Sequence, residues 1–149
     1  MNTDEIAEML ETNPVTRNTF MGVFAADQLP KERLPHDRWF LICNCCPINL
    51  PGKHWVVIFC EGGELQFFDS FGLAPEHYPG VVEFINTQEM VNVIFNKEQF
   101  QSIESDACGH YCIFVAFCRS GGESMETVTT NLRRLDRDSF LKNIVINLL

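Results

Sequence analysis

The stretch His54-Trp55-Val56-Val57-Ile58-Phe59-Cys60-Glu61-Gly62-Gly63-Glu64-Leu65-Gln66-Phe67-Phe68-Asp69-Ser70 decides the fold. Its two ends are apolar runs rich in β-branched and aromatic residues, which read as strands over His54–Cys60 and Leu65–Ser70. Between them, Gly62-Gly63 suits a two-residue type I′ turn, where both central positions need positive φ. Such a turn sets Glu61 opposite Glu64, Val56 opposite Asp69 and His54 opposite Phe71. Paired residues share a face, and the face repeats every second residue. His54 and Asp69 therefore point to one side as diagonal neighbours, whereas a slip of one residue would send them to opposite sides. Both faces of the hairpin carry large apolar side chains, so these strands belong in the middle of a sheet covered on both sides.

Outward from the hairpin, Arg38–Asn44 reads as a strand on the N-terminal side, joined to it by a loop over Pro47–Lys53 that holds two prolines and a glycine. Phe20–Leu29 is mixed and ends at Pro30. Thr3–Glu11 has helical spacing of Ile6, Met9 and Leu10, with Thr3 as candidate cap and Asn13-Pro14 as its end. Beyond the hairpin, Val81–Thr87 is expected to be a short helix and Val91–Phe95 a strand. Cys108–Cys118 is apolar almost all round, the mark of a buried central helix, and Gly121-Gly122 ends it. Glu123–Leu132 and Ser139–Leu149 read as amphipathic closing helices, with Ser139 as candidate cap. The expected class is α+β: a small mixed sheet packed with a buried central helix and flanking helices, in a single domain spanning 1–149.

Composition narrows the function. A chain of 149 residues, 46% hydrophobic with 13 Phe, buries roughly 70% of its unfolded surface and can build a core without staples. Lys and Arg number 11 against 20 Asp and Glu, for a formal net charge of −9. No run of basic residues goes beyond Arg133-Arg134 to displace counterions, so nucleic-acid or anionic-membrane binding is not expected. No stretch approaches the ~20 apolar residues of a membrane span. The opening residues carry Asp4, Glu5, Glu8 and Glu11, where a signal peptide needs a basic start. Seven cysteines are an odd number, at variance with a complete disulfide framework. The chain thus reads as intracellular and soluble with reduced thiols, which serve as small core residues, metal ligands or a nucleophile.

Four residues in order carry potential chemistry: His54, Asp69, Gln101 and Cys108. A cysteine nucleophile attacks as thiolate. Cys108 stands at the expected start of the central helix, where the macrodipole and backbone N–H groups favour a negative sulfur. His54 would take the thiol proton, and Asp69 would fix its tautomer and orientation. A side-chain amide, for which Gln101 is placed, and the Cys108 N–H would receive the oxyanion. Gly109 would let the backbone approach a substrate carbonyl. Taken singly, each has a plainer reading: a structural histidine, a turn carboxylate, a surface glutamine, a core thiol. The hairpin parity and the Cys-Gly pair at a helix start favour the set.

Lys53-His54-Trp55 before a strand, then Phe68-Asp69-Ser70-Phe71-Gly72, then Gln101-Ser102-Ile103-Glu104-Ser105-Asp106-Ala107-Cys108-Gly109-His110-Tyr111-Cys112, resembles the adenovirus-type (adenain-like) cysteine proteases, including those of Polinton (Maverick) transposons and related large DNA viruses. The order His, acid, Gln, Cys-Gly is shared with the SUMO-specific (Ulp1-like) proteases. The step from Gln101 to Cys108 and the opening Phe20-Met21-Gly22-Val23-Phe24 through Asp27-Gln28-Leu29-Pro30 are more similar to the viral branch. The resemblance implies Cys108 as nucleophile, His54 as general base and acid, Asp69 as orienter, Gln101 in the oxyanion hole, and Trp55 as a wall of the substrate cleft. It also implies a papain-like fold and polypeptide substrates such as virion or capsid precursors, cut near small residues. The site of action would be the host nucleus or cytoplasm, or the virion.

Two features depart from the adenoviral pattern. The acidic charge argues against a DNA cofactor, and residues 61 to 107 hold no cysteine to take a disulfide-linked activating peptide. An activator of another kind is left open, and the chemistry needs no cofactor or metal. Three alternatives stand beside the endopeptidase: an isopeptidase acting on a ubiquitin-like modifier, a non-catalytic relative that keeps the cleft, and a zinc-binding module using Cys43, Cys45 and Cys46. The last lacks the usual Cys-x2–4-Cys spacing.

Overall fold

The computed structural model describes residues 1–35, 37–45, 54–90, 92–102, 104–135 and 138–147, with backbone only at 139 and 140. The hairpin forms as expected: β3 (Trp55–Glu61) and β4 (Glu64–Phe68) are antiparallel, with Glu61 opposite Glu64 and Val57 opposite Phe68. Gly62 and Gly63 have φ of 59° and 78°, the left-handed values that a type I′ turn requires.

Three further strands complete a mixed sheet in chain order, β1 (Phe20–Ala25), β2 (Arg38–Asn44), β3, β4 and β5 (Asn92–Phe95). The inner pairs are antiparallel, and each edge strand runs parallel to its neighbour. Phe20–Leu29, which the sequence left mixed, resolves into an edge strand and a turn. Val91, the expected start of β5, lies outside the described residues, as does the whole of the Pro47–Lys53 loop.

Alternation sorts the sheet residues into two cores. Phe40, Ile42, Trp55, Val57, Phe59 and Phe68 face the central helix α3 (Cys108–Ser120) and α1 (Thr3–Thr12). Trp39, Leu41, Val56, Ile58, Leu65 and Phe67 face α2 (Pro79–Gln88). β3 is buried along its length up to Glu61, because a strand with apolar side chains on both faces must be covered on both. The class is therefore α+β, as expected.

Helix ends differ in detail. α1 is capped by Asn2, not Thr3: the Asn2 side chain accepts from the Glu5 N–H while the Glu5 carboxylate accepts from the Asn2 N–H, a capping box that satisfies two donors. α2 begins two residues early because Pro79 supplies a preset φ at a helix start. α4 (Met125–Arg133) is capped by Ser124. α5 (Asp138–Asn147) starts at Asp138, which puts Ser139 inside the helix and not at its cap. Within the apolar α3, Arg119 is buried. Its guanidinium lies 4.5 Å from the Phe59 ring and donates to Gln66, Glu61 and the Glu123 carbonyl, so the charge is compensated where it is desolvated.

Candidate active site

The site forms where β3 begins, β4 ends and α3 begins. His54 stands immediately before β3 and Asp69 immediately after β4. His54 Nε2 lies 2.8 Å from Asp69 Oδ1. An ionised carboxylate only accepts, so Nε2 carries the proton and donates it. The hairpin parity that the sequence implied is the geometry that makes this bond.

Asp69 is fully buried, and its charge is met by donors from three directions. Besides His54, the Phe71 N–H donates to Oδ1 at 2.8 Å and the Tyr78 hydroxyl donates to Oδ2 at 2.6 Å. Its backbone is clamped by Asn96, whose Oδ1 accepts from the Asp69 N–H at 3.0 Å and whose Nδ2 donates to the Asp69 carbonyl at 2.6 Å. The His54 ring is stacked against Phe71, with centroids 4.6 Å apart, and lies 6.2 Å from Tyr78. The imidazole is held in position by its bond to Asp69 and by the neighbouring Phe71 and Tyr78 rings.

Burial works against an imidazolium at His54, but the hydrogen bond to Asp69 and the nearby Cys108 thiol outweigh it and raise the pKa from 6.5 to about 9. With Nε2 committed to Asp69, Nδ1 is the nitrogen left to exchange a proton with that thiol. Cys108 is the first residue of α3, behind the N-cap Ala107, where the positive end of the helix dipole lies. The sheet does not come between ring and sulfur, because both His54 and Asp69 lie past the ends of their strands.

Gln101 is buried and walls the same small cleft as Cys108, about 220 Å³, together with His54, Trp55, Phe71 and Ser105. Its Nε2 donates to the Ser105 carbonyl at 2.8 Å, and its Oε1 accepts from the Ser70 hydroxyl at 2.5 Å. Trp55 is buried in the α3-facing core and lines that cleft. Gly109 has a packing task. A Cβ there would lie 3.2 Å from Ile6 Cδ1, 3.3 Å from Met1 Sδ and 3.6 Å from the Trp55 ring, so its bare backbone lets α1 and Trp55 close over the start of α3. Met1 lines the cleft in consequence. A larger hollow of about 740 Å³ opens on the other side of His54 and Phe71, walled also by Cys45, Tyr78 and Gly80.

Of the other described thiols, Cys45, Cys112 and Cys118 have raised pKa values. Cys112 is buried and bonds the Trp55 carbonyl at 3.2 Å, and burial pushes its pKa well up. Cys118 is pushed up to about 12 by burial and by Glu123. Cys43 and Cys45 have sulfurs 3.9 Å apart, and that contact together with burial raises Cys45 strongly. Among the described residues no three metal-ligating side chains come together, and no helix is long and apolar enough to cross a membrane. Cys46, the third member of the cysteine cluster, lies outside them.

The sequence marks no role for Tyr78, Ser70 or Asn96. Ser70 sits inside a motif already quoted, next to Asp69. Nothing local marks Tyr78 or Asn96, whose partnership with Asp69 exists only in three dimensions.

The fold resembles that of the ASFV pS273R protease. One crystal structure of that protein superposes with a TM-score of 0.62 at 17% identity, over 86% of this chain and 60% of that one. Its Se-Met form superposes at 0.53 and 20%, over 78% and 45%. The chain thus matches about three fifths or less of that protein's length, and at such identity the likeness is one of fold. No family model matches the chain, and no curated protein does.

Proposed function

We propose that the chain is a cysteine endopeptidase of the adenovirus type, with Cys108 as nucleophile, His54 as base and acid, Asp69 as orienter and Gln101 as oxyanion donor. The observation that carries the reading is the 2.8 Å bond from His54 to a fully buried carboxylate, on a ring whose pKa is also raised by the Cys108 thiol. The fold likeness to a viral protease and the order of motifs support it.

His54 Nδ1 takes the Cys108 proton, and the sulfur attacks the scissile carbonyl carbon. The C–S bond forms as the carbonyl π pair moves to oxygen, and the Gln101 amide receives that oxyanion. As the oxyanion collapses, the C–N bond breaks and the imidazolium gives its proton to the leaving amine, leaving a thioester on Cys108. A water then loses a proton to His54 and attacks the thioester, and the C–S bond breaks to release the carboxylic acid and regenerate the thiol. Asp69 stabilises the positive ring throughout. The substrates in this reading are polypeptides such as capsid precursors, cut beside small residues.

A peptide vinyl sulfone tests the reading. It should label Cys108 alone near neutral pH, and His54→Ala should abolish the labelling. A peptide library should be cut by the wild type and not by Cys108→Ala, which removes only the sulfur at a helix start. Slow, equal labelling of all the thiols would overturn the assignment. Cleavage restricted to a modifier-fused reporter would move it to the isopeptidases.

A further inference from the structure

Gln101 is docked on Ser70 by two hydrogen bonds and its neighbour Phe100 by a third, and Ser70 is the residue next to Asp69. The Ser70 carbonyl accepts from the backbone N–H of Gln101 at 3.0 Å and of Phe100 at 2.8 Å. The Ser70 hydroxyl donates to Gln101 Oε1 at 2.5 Å. Both side chains are 1% exposed, so water does not compete for either end of that bond. The polarity of the amide is settled by its other partner. The Ser105 carbonyl only accepts, hence Nε2 faces it at 2.8 Å and Oε1 faces Ser70.

An amide nitrogen has two N–H groups, and Ser105 takes one. We infer that Ser70 is a positioning residue for the oxyanion donor: its hydroxyl holds the Gln101 amide so that the second Nε2–H is presented to the cleft beside Cys108. This rests on the protease reading above and deepens it. Two physical effects act together. The hydroxyl restrains rotation of the amide about its last side-chain bond. It also draws electron density toward Oε1, which strengthens the N–H at the other end as a donor. The dipeptide Asp69-Ser70 then serves both halves of the reaction, Asp69 through the imidazole and Ser70 through the amide, and the Asn96 clamp on Asp69 sets the register of both.

The two halves separate experimentally. Alkylation of Cys108 by iodoacetamide needs the sulfur and the imidazole but forms no oxyanion, whereas peptide hydrolysis needs all three. Removing an oxyanion donor lowers turnover about 10²–10³-fold, so Gln101→Ala should do so, and misaligning it through Ser70→Ala should cost about tenfold in kcat with KM little changed. Alkylation of Cys108 should keep its wild-type rate and pH profile in Ser70→Ala. In the Gln101→Ala background, Ser70→Ala should cost nothing further, since the amide it positions is gone. The buried pair Ser70→Thr and Ser70→Val differs in the hydroxyl at nearly equal volume and asks the same question if the alanine variant misfolds: Thr should retain turnover and Val should lose it.

Unchanged kcat in Ser70→Ala, equal loss of alkylation and turnover, additivity with Gln101→Ala, or Thr and Val losing turnover alike would each overturn this inference while leaving the protease reading in place. A wild type that neither alkylates selectively at Cys108 nor cuts peptides would overturn both.

Discussion

Replacing Asp69 by Asn removes a charge and little else. Asn can keep every contact: its Oδ1 accepts from His54 Nε2–H and the Phe71 N–H, and its Nδ2 donates to the Tyr78 oxygen, reversing one bond. The His54 tautomer and orientation survive, so the variant isolates the electrostatic contribution. In the wild type the ring is raised from 6.5 to about 9, a preference for imidazolium of about 3 kcal/mol. Asp69 shares that effect with Cys108. Loss of the carboxylate should therefore slow Cys108 alkylation at neutral pH by between about 10- and 300-fold, and move the rise of the profile, where the thiolate forms, to higher pH. The assay is the second-order rate with iodoacetamide across pH 5–10, read by mass spectrometry with Cys108→Ala as blank. His54→Ala should lose selective labelling entirely, because it removes the base itself. A profile for Asp69→Asn that superposes on the wild type, or a loss as complete as that of His54→Ala, would refute the assigned roles.

Tyr78→Phe keeps the ring near His54 but deprives a buried carboxylate of a 2.6 Å donor. A hydrogen bond to a charged group is worth about 1.5–3 kcal/mol of stability, so a urea melt should show a loss of that order, and an unchanged melt would show that Oδ2 does not need it. Gly72→Ala should lower stability by about 2–3 kcal/mol and abolish activity. Gly72 has φ +77°, its added Cβ would lie 2.8 Å from the Glu98 backbone, and its N–H closes the turn onto the Asp69 carbonyl; a thermal melt matching the wild type would contradict this. Folding stability should carry a His54 contribution that is complete below pH 6.5 and lost as pH rises through about 9, because the folded-state pKa is the raised one. Urea melts at pH 6 and pH 9.5 should show a larger fall for wild type than for Asp69→Asn, and equal falls would count against the coupling.

The hairpin was legible because its information is local. Two apolar runs and a Gly-Gly turn determine strand, register and face, and the register in turn brings His54 to Asp69. The central helix was legible from its apolar length, and with it the place of Cys108 at its start. Helix ends were read less well. The spacing points to Thr3 as cap where Asn2 caps, and to Ser139 as cap of a helix that begins at Asp138. Caps depend on which of several adjacent polar side chains the backbone actually presents, and sequence spacing alone does not discriminate among them.

What the chain alone determined is thus the set of elements, the pairing of β3 with β4 and the chemical types available at their ends. What only the tertiary structure decided is how the ends meet. Strict alternation assigns the even-numbered positions of β3 to the α2-facing core and α3 to the opposite one. The imidazole and the sulfur come together because His54 lies beyond the sheet, where no strand separates the two faces. Tyr78 reaching Asp69, Ser70 holding Gln101, and Ile6 and Met1 occupying the space left by Gly109 have the same origin. Each contact joins segments that have no local reason to meet, and the folded backbone alone sets their distance.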